Sequence, residues 1–251
     1  MTSRIDQEPS PRIALVTGGG RNIGRAIALE LASSGADVAV LVRSDDSAAE
    51  SVADEVRSLG RRAMAASADV RDESAVRAAV DRVRGELGAV TVLVHAAAVR
   101  REAPFLELSR DQWREIIDVV VDGAFLTSRE VLPDMIDAGW GRIVMIGGLS
   151  GQTGATHRAH VVTAKAALIG LTKALALEFA AHKITVNTVS PGMIDTVRAG
   201  AEPKHHDERR IPVGRRGRPE EVAATVRFLV SDEAAFITGE TVNVNGGLLC
   251  R

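Results

Sequence analysis

Between two apolar runs, Ile13-Ala14-Leu15-Val16 and the stretch from Ile23 to Leu31, stands Thr17-Gly18-Gly19-Gly20-Arg21-Asn22-Ile23-Gly24. Glycines in such a turn let the main chain approach a pyrophosphate. The helix that follows offers free N–H groups and the positive end of its dipole. Many tight turns contain glycines, so it is the place in the first strand–helix unit that points to a dinucleotide. No Gly-Lys-Ser/Thr follows, so this is not a mononucleotide P-loop. The second apolar run ends Val40-Leu41-Val42-Arg43, with no acidic residue to accept from a ribose 2′-hydroxyl. Arg43, with Arg21, suits a 2′-phosphate and favours NADP(H) over NAD(H); the alternative is a surface arginine. Asp69, next to Val70 at the close of the third run, has a carboxylate able to accept from an adenine amine.

These residues need a scaffold, and the hydrophobic pattern supplies one. Short continuous apolar runs at 13–16, 38–42, 63–66, 90–94, 143–146, 184–189 and 241–244 alternate with longer helical patterns. Continuous rather than alternating apolar strands indicate a parallel sheet covered on both faces. Ser109 and Gln112 form a capping box that opens a long helix toward Ala138. A further helix is expected from Ala159 to Ala181, and Pro219 takes the first position of another. The expected fold is a single-domain α/β, doubly wound Rossmann fold with a seven-stranded parallel sheet over residues 12–251. Residues 1–11 read as a short disordered arm, and 195–218, with Lys204, His205 and His206, as a substrate lid or a solvated loop.

Composition narrows the classes. The chain has 251 residues, 31 basic and 33 acidic, so a formal charge of -2 gives no basic field for nucleic acid. One cysteine, Cys250, permits neither an internal disulfide nor a cysteine-rich zinc site, and no metal is expected. No uninterrupted apolar stretch is long enough for a membrane span, and the first residues lack a secretory pattern, so a cytoplasmic location is expected. The chain contains no tyrosine.

The combination of Thr17-Gly18…Gly24, Asp69-Val70, Thr163-Ala164-Lys165-Ala166-Ala167-Leu168, Pro191-Gly192-Met193-Ile194-Asp195-Thr196 and Thr238-Gly239…Val244-Asn245-Gly246-Gly247 resembles the short-chain dehydrogenase/reductase family over nearly the whole chain. Asn22 replaces the family's usual glycine in the first turn, which asparagine tolerates because it reaches left-handed angles. The resemblance implies cofactor contacts at Pro191, Gly192, Ile194 and Thr196, and a ribose contact from Lys165. It also implies a cofactor path past Ala96 and Ala97, within His95-Ala96-Ala97-Ala98 where the family has Asn-Asn-Ala-Gly. The catalytic positions differ. The family's tyrosine falls on Val161, its serine on Gly148 and its helical asparagine on Val120. Neither Val161 nor Gly148 can donate a proton or a hydrogen bond. Substitutes are Ser150, two residues from the serine position, and His157, which shares a face with Val161 and Lys165 if the helix reaches back that far. His160 is rotated about 100° from that face.

Three functions follow as expectations. The first is a non-catalytic NADP(H)-binding subunit of a ketone/β-hydroxy oxidoreductase assembly in bacterial secondary metabolism. Family members associate as dimers and tetramers, and the resemblance extends to mixed assemblies of intact and degenerate subunits, including in aminocoumarin antibiotic pathways. The second is a stand-alone ketoreductase using His157, Ser150 or Thr153. The third is a cyclase, isomerase or lyase on the same scaffold. The substrate would be a small or carrier-bound carbonyl compound, and the partner a copy of the chain or a related subunit.

Overall fold

The computed structural model describes residues 12–197 and 211–250. The expected arm at 1–11 and positions 198–210 of the expected lid lie outside them. The strands are β1 (Ile13–Thr17), β2 (Asp37–Val42), β3 (Ala63–Ser67), β4 (Val92–His95), β5 (Gly141–Ile146), β6 (Ile184–Pro191) and β7 (Thr241–Val244). They form one parallel sheet in the order β3-β2-β1-β4-β5-β6-β7, as the apolar runs require. Order reverses between β1 and β4, where Thr17 pairs with His95, and that reversal opens the crevice in which such sheets bind ligands.

Helices cover both faces: α1 (Asn22–Ser33), α2 (Asp46–Ser58), α3 (Glu73–Glu86), α4 (Arg110–Ile117), α5 (Gly123–Ala138), α6 (Ser150–Thr153), α7 (Ala159–Phe179) and α8 (Pro219–Leu229). The core is divided by the sheet. Ile27, Leu31, Val52, Val226 and Leu229 pack one face, and Val80, Val83, Ile116, Met135 and Leu168 the other. Ser109 Oγ accepts from the Gln112 N–H, and Gln112 Oε1 accepts from the Ser109 N–H, so the capping box forms. The helix it opens is not uniform. Asp118–Asp122 is a π-helical turn between α4 and α5, an extra residue per turn of the kind that recurs at functional sites.

The stretch Ala159–His182 has a mean hydropathy of 1.4 and is, by length and composition, apolar enough to cross a membrane, although only 33% of it is buried. Lys165 and Lys173 interrupt it, so the sequence shows no continuous run. In the fold it lies along β6 and α6. Its outer side, with Ala166, Gly170, Ala174 and Leu177, is left exposed.

Candidate functional site

The crevice has a nucleotide end built around the turn from β1 to α1. Helices α2, α3 and α4 begin with the side chains of Asp45, Asp72 and Ser109 accepting from main-chain N–H groups. Helix α1 begins with Arg21, which makes no such cap, and has no acidic residue in its first turn. Its free N–H groups and dipole are therefore available to an anion. The turn lies so close to its neighbours that a Cβ on Gly24 would stand 2.1 Å from the Gly18 carbonyl oxygen. Gly18 has φ +67° and faces Ala96 and Ala97 at 3.0 Å. Thr17 Oγ1 accepts from the N–H groups of both alanines at 3.1 Å, binding the ends of β1 and β4 together. Gly20 lies against Val42, Ile23 is buried, and Asn22 takes φ +51°.

Toward the adenosine side, Arg21 and Arg43 are exposed, and no hydrogen bond or ion pair engages either guanidinium among the described residues. Arg43 is still close enough to Asp69 and Glu115 to lower both carboxyl pKa values, as a lesser cause. Asp69 and Val70 sit just past the end of β3 rather than closing it. The Asp69 carboxylate is held below its usual range chiefly by Arg71, whose Nε and Nη2 donate to it at 2.9 and 2.5 Å. An adenine amine would share that carboxylate with Arg71. Val70 is buried beside Gly123.

At the nicotinamide end, Pro191 closes β6 and the Gly192 N–H donates to Val244 O at 2.9 Å. Ile194 is buried and bridges to Gly217. Thr196 Oγ1 is buried with no hydrogen-bond partner among the described residues, an acceptor and donor left for a ligand. The uncapped helix start, the glycine cradle and this orphaned hydroxyl fit a dinucleotide. Were such a group bound, Arg21, Asn22, Ile23 and Thr196 would hold its phosphates, and Ile194 and Lys165 would meet the nicotinamide riboside. When bound, that group supplies or accepts a hydride.

Lys165 Nζ donates to Ile146 O at 2.7 Å at the end of β5. Burial, then the charges of Arg100 and Arg158, push its ammonium down to about 7. Around it, Gly148 is open: a Cβ there would meet nothing nearer than Lys165 Cγ at 3.8 Å. Val161 is a buried apolar side chain one helical turn before the lysine, and Val120 lies buried in the π turn. Ser150 opens α6, which packs through Gly151 directly onto the main chain of Lys165 and Ala166.

The histidines fall differently from expectation. Helix α7 starts at Ala159, and His157 precedes it in an exposed turn with φ +58°, so it does not share the face of Val161 and Lys165. His160 is turned off that face as expected but is not solvated. It is fully buried with both ring nitrogens unpartnered, and burial lowers its pKa. His95 is the residue whose role the sequence left unread. Its Nδ1 lies 3.2 Å from Thr17 Oγ1, which also accepts from the Ala96 and Ala97 N–H groups. Thr127 Oγ1 lies 3.4 Å from the same nitrogen, and Nε2 has no hydrogen-bond partner among the described residues. Burial, then Lys165, push His95 down to about 3. It is a neutral strut, signalled in the sequence only by replacing an asparagine of the resembling motif.

Residues 18–249 match the family model described as enoyl-(acyl carrier protein) reductase. The chain belongs to the short-chain dehydrogenase/reductase family. Among its curated relatives are the 3-oxoacyl-[acyl-carrier-protein] reductase FabG of Escherichia coli (strain K12), 38% identical over 242 residues, and that of Aquifex aeolicus (strain VF5), 39% identical over 241. Both alignments cover 94% of this chain and 97% of the relative. The acetoacetyl-CoA reductase of Rhizobium meliloti (strain 1021) is 42% identical over 243 residues, covering 94% of this chain and 98% of that protein. The matched relatives are named as reductases, and the resemblance drawn from the five motifs holds at the level of fold and family.

Proposed function

We propose that this chain is an NADP(H)-binding reductase homologue acting as the non-catalytic subunit of a carbonyl/β-hydroxy oxidoreductase assembly in bacterial secondary metabolism. One observation carries the reading: a tight glycine turn, in which Gly24 has no room for a side chain, adjoins a region lined by Gly148, Val161 and Val120. Reduction of a ketone leaves an alkoxide that must be protonated. Lacking the general acid forfeits about 10²–10⁴-fold, and lacking the oxyanion donor roughly another 10²–10³-fold. Nothing in the cradle is touched by those losses, so nucleotide binding persists.

The relatives' names, 3-oxoacyl-carrier and acetoacetyl-CoA reductases, support a thioester-linked carbonyl as the substrate of the assembly. The exposed apolar side of α7 supports a subunit partner, because Leu177 is 84% exposed beside Ala166, Gly170 and Ala174. The arginine-rich, lysine-poor composition fits a GC-rich bacterial source. The test is titration of the purified chain with NADPH, followed by β-keto thioesters in the same cuvette. Binding without consumption, and consumption on adding an intact family member from the same gene neighbourhood, is expected. Steady turnover by the chain alone overturns the subunit role.

A second reading, a stand-alone reductase, is favoured by Lys165 at about 7. An ammonium titrating there is a competent acid near neutrality and would replace the expected His157 or Ser150. It requires turnover whose pH midpoint lies near 7 and disappears in Lys165→Met.

A further inference from the structure

The turn that opens α1 and the chain leaving β6 are joined by one side chain. Asn22 Oδ1 accepts from the Val197 N–H at 2.9 Å, and Asn22 Nδ2 donates to Val197 O at 3.0 Å. A carboxamide presents acceptor and donor side by side, so Asn22 meets Val197 as the edge of a neighbouring strand would. The two residues are 175 positions apart, on turns following β1 and β6, which are not neighbours in the sheet. The pair therefore closes across the crevice.

The opposite edge of the same segment is held as well. The Asp195 N–H donates to Gly217 O at 2.8 Å, and the Gly217 N–H donates to Met193 O at 3.0 Å. The stretch from Met193 to Val197 is thus a strap tied on both sides, and it carries the unpartnered Thr196 Oγ1. Asn22 is the tie on the cradle side. At φ +51° a glycine would make the same turn with less strain, so the backbone does not demand asparagine. What asparagine adds is the pair with Val197. Both residues line a cavity of about 520 Å³ between the starts of α1 and α8, which places the tie at the rim of the crevice.

We propose that Asn22 is a cofactor-positioning residue whose carboxamide locks the Met193–Val197 strap across the nucleotide cradle, so that NADP(H) leaves this chain slowly. The proposal rests on the NADP(H)-binding reading above and deepens it. A turning-over reductase must release its nucleotide in every cycle, whereas a non-catalytic subunit keeps it as a lasting part of its structure.

The test uses the full chain. NADPH release is followed by nicotinamide fluorescence during a chase with excess NADP⁺, and hydrogen exchange of the Val197 amide is measured without nucleotide. Asn22→Gly is expected to keep the parent's melting temperature, to release NADPH about ten- to a hundredfold faster with little change in association, and to lose Val197 protection. Asn22→Asp keeps the acceptor for the Val197 N–H but sets a charge against Val197 O. It is expected to release quickly at neutral pH and slowly once the carboxyl protonates, a dependence that a merely structural asparagine would not produce. Release unchanged in Asn22→Gly, or Val197 still protected there, overturns the proposal while leaving nucleotide binding intact. A parent chain that does not bind NADPH overturns both.

Discussion

At the β1–α1 turn a methyl group on Gly24 would stand 2.1 Å from the Gly18 carbonyl, whereas after β5 one on Gly148 would meet only Lys165 Cγ, at 3.8 Å. The first glycine is dictated by the backbone around it; the second is not. The same residue type therefore answers to different packing at the two ends of the crevice. At Gly24 the turn cannot accept a side chain without moving main chain. At Gly148 there is room for a side chain that the sequence does not supply. Val161 and Val120 fill their positions with buried apolar volume, and Gly148 leaves a gap beside Lys165.

The sharpest way to break this comparison is Gly24→Ala. Its Cβ would fall inside the van der Waals radius of a main-chain oxygen that cannot swing away, so the β1–α1 turn must move. A loss of about 3 kcal/mol or more is expected, read as a lowered denaturation midpoint together with loss of NADPH binding. A variant that melts and binds like the parent would show that the cradle is looser than its contacts imply.

Acid probes the boundary between the two ends, where His95 stands neutral. Burial holds it at about 3 in the folded chain, against 6.5 for a free imidazole, so below pH 6.5 the unfolded chain holds a proton that the folded chain does not. Stability is full above 6.5 and falls with acidification toward 3, by about 2 kcal/mol between pH 6.5 and 5. Buried His160, also lowered, adds in the same direction. Lys165, depressed from 10.5 to about 7, extends the rise on the alkaline side, with stability growing from pH 7 to 10.5. Denaturant titrations at pH 5, 6.5 and 8 should show a slope that is shallower in His95→Asn. An identical slope would place the His95 ring in contact with water.

A smaller effect separates the adenosine side from the turn itself. With guanidinium groups unengaged by the described residues, Arg43→Ala and Arg21→Ala are expected to weaken NADPH about tenfold and leave NADH unchanged, by fluorescence titration. Equal losses for both nucleotides would mean that the arginines support the turn rather than meet a 2′-phosphate.

Much of this molecule was legible because its strands are short, continuous and apolar, and because Ser109–Gln112 and Pro219 mark helix starts with local chemistry. What was not legible depends on contacts distant in sequence. Asp118-Val119-Val120-Val121-Asp122 has no breaker and reads as ordinary helix, yet it forms a π turn against His95. The helical extrapolation to His157 ran two residues too far, since nothing after Gly154 signals a left-handed turn at a histidine. The glycines of the β1–α1 turn stand out by their place between the first apolar run and the first helical pattern, but the partner of Asn22 lies 175 residues away and only the folded chain shows it.

The least perturbing change carries the most information about the reaction end. Gly148→Ser places a hydroxyl where the backbone has room, so stability should stay within about 0.5 kcal/mol of the parent. NADPH affinity should stay unchanged too, since Gly148 is not part of the cradle. Alone the serine orients a carbonyl but supplies no acid, so turnover should not rise. With Val161→Tyr and Val120→Asn added, beside the resident Lys165, consumption of NADPH with a β-keto thioester should rise by about 10²–10⁴-fold. A stable triple variant that binds NADPH and stays inert would show that the pocket, and not only its missing groups, has departed from a reductase's geometry. If Gly148→Ser by itself lowers the melting temperature sharply, the gap beside Lys165 is closed in solution, and the contrast with Gly24 disappears.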